Sequence, residues 1–207
     1  MPSINLFWLT PSLARLGWLT AATPNPDRRT APGRVYLLRG NGVFFSNGLA
    51  VLCNRLRRAG VWAEDLWCSG ERWATRQLLA DYRAGQPRGP VVFVGHSCGG
   101  RHSLFAARQL EAAGIVIDLL VCLDVAMPWP VPANVKRAVN LYLTRRRLYP
   151  ARPLVPATGS PAHIENIDLN AANSPLDATG LFHLNITSST AVQDFVLRRI
   201  LETVQVT

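Results

Sequence analysis

A serine set between glycines, Gly95-His-Ser-Cys-Gly99, with Gly100 directly behind it, is the stretch of this chain best suited to chemistry. The spacing is G-x-S-x-G. It falls between an apolar run, Val91-Val-Phe-Val94, and a segment with helical composition. Glycines two residues before and two after a serine permit a tight, strained strand-to-helix turn, where side chains would collide with neighbouring backbone. Such a turn lifts Ser97 Oγ clear of the sheet and sets it at the amino end of a helix. Free N–H groups and the helix dipole there favour developing negative charge. The chemistry this suits is nucleophilic attack on an acyl carbon. The competing reading is a glycine-rich turn without chemistry, or one that cradles phosphate; neither G-x-G-x-x-G nor Gly-Lys-Ser/Thr occurs in the chain.

The surrounding pattern supplies the elements such a turn needs. Val35-Tyr-Leu-Leu38 reads as a buried strand closing at Arg39-Gly-Asn-Gly42. Leu49, Leu52 and Leu56 fall at helical spacing within residues 47–59, with Gly60 as a stop. Residues 61–67 suit a second strand and 71–84 a helix. The strand 91–94 and the turn at Ser97 lead into a helix over 98–113, then strands over 115–123 and 135–144. A Pro-, Ala- and Asn-rich stretch runs to about residue 180, and a last helix spans roughly 188–204. Strands alternating with helices, each strand nearly unbroken in its apolar run, predict one domain: a mostly parallel sheet with helices on both faces. Sites in such sheets form at the carboxyl ends of the strands, where Arg39–Gly42, Ser97 and Asp124 all fall. Residues 34–207 are expected to form this domain, behind an apolar segment and Pro-rich linker over 1–33. The short segments between strands leave little room for a large cap, although 145–180 has the length for a lid.

Gly-His-Ser-Cys-Gly-Gly resembles the nucleophile elbow of α/β-hydrolase esterases, lipases and thioesterases, which commonly carry Gly-His-Ser-x-Gly-Gly. By element order the resemblance extends over most of residues 34–204, but only the elbow is specific by itself. It implies a minimal α/β-hydrolase fold, with Ser97 attacking a carboxylic ester or thioester to form an acyl-enzyme. It also implies a triad in the chain order serine, acid, histidine, with no cofactor and no metal. The family's base lies in a loop before the final helix, which describes His183; His163, beside Ile164-Glu165, is the alternative. His96 lies inside the elbow and points the wrong way for Ser97, and His102 sits on the following helix. Asp124 ends the strand after the elbow helix, in Leu123-Asp-Val-Ala-Met-Pro128. That run is similar to the Leu-Asp-Pro of some lipases but lacks the adjacent proline. Many members carry the acid one strand later, and Asp168 and Asp177 also satisfy the chain order. The oxyanion donors would be the N–H of Cys98 and that of Asn41 or Gly42. Phe44, Phe45 and Trp129 are candidates to line an acyl pocket.

Composition narrows the classes. The 207 residues carry a net charge of +9, and Lys136 is the sole lysine among the basic side chains. The arginines are scattered rather than blocked, and no helix-turn-helix, zinc or RNA-binding signature accompanies them, so no nucleic-acid partner is expected. Cys53, Cys68, Cys98 and Cys122 lack the close pairs of a zinc site. A Cys53–Cys68 disulfide is not decided by the sequence. Residues 4–20 are apolar and are followed by Ala21-Ala22-Thr23-Pro24, but Arg15 lies within the run rather than before it. Pro11 and Arg15 also argue against a spanning helix. The expectation is therefore a cytoplasmic chain, or one exported or membrane-associated through this segment. Peripheral membrane contact and oligomeric state stay open. An acyltransferase on the same site and a non-catalytic hydrolase-like binding scaffold are the alternative functions.

Overall fold

The computed structural model describes residues 23–41, 46–86, 89–144 and 152–204. The apolar runs form the centre of a parallel sheet. β1 (Arg34–Leu38), β3 (Val91–His96) and β4 (Leu119–Leu123) are buried along their whole length, as strands covered on both faces must be. β2 (Trp62–Leu66), β5 (Arg137–Tyr142) and β6 (His163–Asp168) complete six strands in the order β2-β1-β3-β4-β5-β6, every pair parallel. The strand order reverses between β1 and β3, and the carboxyl ends flanking such a switch point open a crevice.

Alternation along each strand divides the core. Val35 and Leu37 of β1 face one layer with Val92, Val94, Val121 and Leu123. That layer is covered by α1 (Asn47–Arg58) and α4 (Thr190–Val204). Tyr36 and Leu38 face the other with Phe93, Leu120 and Cys122, under α2 (Glu71–Arg83) and α3 (Cys98–Glu111). In α1 the stripe of Leu49, Leu52 and Leu56 is fully buried, each side chain contributing about 1.5–3 kcal/mol. Arg55, Arg57 and Arg58 sit in its last turn, where cations complement the helix dipole. Gly60, at φ 79°, ends the connection to β2.

Three expectations change. The Pro-, Ala- and Asn-rich stretch before residue 180, to which no strand was assigned, contains β6, an edge strand. Four of its six residues, His-Ile-Glu-Asn-Ile-Asp, are polar and only Ile167 is buried, so it lacks the unbroken apolar run of the central strands. The Pro-rich residues 24–33 are bound to the domain: Asn25 exchanges hydrogen bonds with Ala63 of β2, and Arg28 reaches Gln77, Tyr36 and Asp81. The expectation of a chain that is cytoplasmic, or exported or membrane-associated through residues 4–20, is corrected: no helix among the described residues is long and apolar enough to cross a membrane, and 4–20 lie outside them. All four cysteines are free, so Cys53 and Cys68 are not joined.

Candidate active site

The turn after β3 has the geometry its glycines predict. Ser97 adopts φ 55°, a left-handed backbone that costs a non-glycine residue about 1–3 kcal/mol. It is held there by the Ser97 N–H donating to Leu123 O at 3.0 Å and by Gly100 N–H donating to Ser97 O at 3.2 Å. A Cβ on Gly95 would lie 2.5 Å from the Gly100 backbone, and one on Gly99 only 2.1 Å from Leu38 O. Gly100 in turn packs on Val125. We expect Gly99→Ala to destabilise the protein by about 3 kcal/mol, read from urea unfolding, because backbone atoms on β1 cannot move aside. Wild-type stability in that variant would contradict the close approach.

Asp124 ends β4 next door. Its N–H donates to Leu141 O at 2.7 Å, and its backbone turns at φ 44°. The carboxyl is fully buried, with Oδ1 accepting the Leu143 N–H at 3.3 Å. Oδ2 accepts from His183 Nδ1 at 2.6 Å, and His183 Nε2 lies 3.0 Å from Ser97 Oγ. A carboxylate only accepts, so the Nδ1–H faces Asp124 and the Nε2 lone pair faces the serine hydroxyl. His183 comes from the segment before α4, between the exposed Phe182 and Leu184.

The other candidates lie elsewhere. His163 opens β6, at the amino end of a parallel strand and so on the opposite edge of the sheet from Ser97. Asp168 accepts from Thr144 Oγ1 and the Asn170 N–H, and Asp177 is an exposed turn carboxylate held below its ordinary pKa by the Thr179 N–H. His102 has Nδ1 3.2 Å from the buried Glu71 carboxylate. Trp129 packs edge-on to Phe105 at 5.6 Å, with the Arg101 guanidinium 4.9 Å from its ring centroid. Gly42, Phe44 and Phe45 lie outside the described residues.

The β1 register, Leu38 opposite Gly95, brings Arg39-Gly40-Asn41 alongside the elbow. A Cβ on Gly99 would also lie 2.5 Å from Arg39 O, so this segment runs close against the start of α3, directly after Ser97. Burial, then the neighbouring Cys68 thiol, pushes the Cys98 pKa up to about 12, which keeps it a neutral thiol. Arg39 is tied to Asp65 and lies over the Trp67 ring. Among the described residues no group of three or more His, Cys, Asp or Glu side chains could hold a metal ion. A cavity of about 600 Å³ opens at the other end of the sheet, between Arg34, Leu78, Val91, Asp118, Lys136 and Glu202, away from Ser97.

Sequence reasoning passed over Ser46 and gave His96 no task. Ser46 Oγ lies 2.8 Å from His96 Nδ1, and His96 Nε2 lies 2.9 Å from His183 O. Both contacts join residues distant in the chain, and no local spacing announces them.

The parallel sheet, its strand order and the strand–serine–helix elbow define an α/β-hydrolase fold, minimal in size. Solved structures agree on that fold. The thioesterase domain of NocB from the nocardicin cluster superposes with a TM-score of 0.53 at 15% identity, covering 88% of this chain and 100% of that one. The esterase domain of a Rhodothermus marinus protein gives a TM-score of 0.50 at 13% identity, covering 86% and 88%. No family model and no curated protein matches the sequence.

Proposed function

We propose that the protein is a serine hydrolase that cleaves a carboxylic ester or thioester through an acyl-enzyme on Ser97. The observation that carries this reading is the hydrogen-bonded chain from Ser97 through His183 to the buried Asp124. In this reading His183 Nε2 takes the Ser97 proton as Oγ bonds to the acyl carbon, and Asp124 holds the Nδ1–H tautomer and offsets the imidazolium charge. The tetrahedral oxyanion sits on the Cys98 and Asn41 N–H groups. His183 then protonates the departing alkoxide or thiolate, and water, deprotonated by the same nitrogen, releases the acid and restores Ser97. Residues 34–207 act as the hydrolase domain, with 1–33 preceding it.

Trp67, Met127, Phe182 and Leu184 are exposed and belong to segments following strands or flanking His183, which favours an apolar acyl or alkyl group. We expect kcat/KM on p-nitrophenyl esters to rise about three- to fourfold per added methylene over short chains, from about 0.8 kcal/mol per buried CH₂. A flat profile from acetate to hexanoate would count against an apolar subsite. The reading itself is tested with a fluorophosphonate probe: one adduct per chain, mapped by mass spectrometry to the peptide containing Ser97, is expected. A folded protein that neither labels nor turns over a broad ester and thioester panel would sink it.

A further inference from the structure

Ser46 stands at the N-cap of α1, where a serine hydroxyl ordinarily accepts an N–H from the first helical turn. Here it makes no such bond. The hydroxyl is buried and directed inward: it accepts the Gly40 N–H at 2.9 Å and lies 2.8 Å from His96 Nδ1. On the far side of the ring, His96 Nε2 is 2.9 Å from the main-chain oxygen of His183. A carbonyl oxygen only accepts, so the proton of His96 is on Nε2. In the neutral ring Nδ1 is then an acceptor, and the Ser46 O–H donates to it. Every bond in the path therefore has one direction: Gly40 N–H to Ser46, Ser46 O–H to His96, His96 N–H to His183. Packing follows the same path, since a Cβ on Gly40 would meet Ser97 Cβ at 3.1 Å, His96 Nδ1 at 3.2 Å and Ser46 Oγ at 3.2 Å. The His96 and His183 rings lie 4.7 Å apart between centroids, tilted by 34°.

We propose that His96 is a positioning residue, bracing the loop that carries His183 against the loop that carries Asn41, with Ser97 between them. This rests on the serine-hydrolase reading above. The two hydrogen bonds of His96, to Ser46 and to the His183 main chain, are the means by which it would act. Its Nε2–H fixes the His183 main chain, and so the approach of that imidazole to Ser97. Its Nδ1 fixes Ser46, and through it Gly40, the residue before the Asn41 N–H. One imidazole thus sets the base and one oxyanion donor in a common frame, and a shift of about 1 Å in either would cost on the order of a hundredfold in rate.

The test compares wild type with His96→Phe, His96→Gln and Ser46→Ala on p-nitrophenyl butyrate. In parallel, the downfield ¹H NMR resonance of the His183 Nδ1–H is followed, assigned by its loss in His183→Ala. Phenylalanine keeps the ring volume and removes both bonds; glutamine restores a donor towards His183 O. We expect His96→Phe to lose about ten- to a hundredfold in kcat with KM within about threefold. Its downfield resonance should shift or broaden, and His96→Gln should recover most of both. Ser46→Ala should lower kcat and leave the resonance in place, because it severs only the Asn41 side. A folded His96→Phe with wild-type kcat and an unmoved resonance overturns the proposal. So does a glutamine variant as slow as phenylalanine with the resonance unmoved, the mark of a purely structural residue. Should His96→Phe not fold, the glutamine and Ser46 variants decide by the same criteria. Absence of any Ser97-dependent turnover in wild type would defeat the hydrolase reading, while the resonance still reports the His96 contact.

Discussion

Ser97→Ala is expected to abolish fluorophosphonate labelling and to lower kcat on p-nitrophenyl esters by about 10⁴-fold or more. The size follows from what the hydroxyl would do. Without Oγ no acyl-enzyme forms, and hydrolysis falls back on water near two N–H donors, so a barrier reduction of about 5.5 kcal/mol or more is lost. The fold should tolerate the change, since alanine keeps the Cβ and the turn is held by the main-chain bonds of Ser97 and Gly100. His183→Ala should be comparably slow, because base and nucleophile act as a unit. His163→Ala should be indistinguishable from wild type, since that residue opens β6 at the opposite sheet edge. Residual labelling in Ser97→Ala, or a slow His163→Ala beside a normal His183→Ala, would reassign the chemistry.

Asp124→Asn should be nearly as damaging, by about 10⁴-fold in kcat, with little loss of stability. The reason is directional. Oδ1 of Asp124 accepts the Leu143 N–H, so the amide oxygen of an asparagine would take that position and its NH₂ would face His183. An NH₂ there donates to Nδ1 and drives the proton onto Nε2, where it opposes the Ser97 hydroxyl. The geometry survives and the tautomer is wrong. Single-turnover labelling by the fluorophosphonate should slow in proportion to kcat. A variant within tenfold of wild type would mean that Asp124 is only a buried turn residue. Asp168 and Asp177 are hydrogen-bonded instead to Thr144 and Thr179, so the same measurement on Asp168→Asn and Asp177→Asn would show whether either takes that place.

The turn at Ser97 was legible because its requirements are local. Glycine at 95 and 99, an apolar strand before and a helix after are set by sterics over a few residues. The backbone contacts at 2.1–2.5 Å that a Cβ would make at those glycines are the same sterics in three dimensions. The central strands and the helices were legible by their apolar periodicity. β6 was not, because an edge strand with one buried residue carries a weak version of that pattern.

The partners of Ser97 were a different matter. Asp124 and Asp168 both end strands, and His163 and His183 both precede the last helix, so chain order alone could not separate them. Sheet register did. Parallel pairing puts Asp124 at the carboxyl edge beside Ser97, and it puts His163 at the amino edge. The bonds that join the site span 59 and 86 residues, and those of His96 span 50 and 87. Such separations are invisible to spacing rules, because they depend on how strands stack and which loops then meet. The amino-acid sequence by itself determined a strand, an elbow and a helix around one serine; the packed sheet alone decided which histidine and which aspartate reach it.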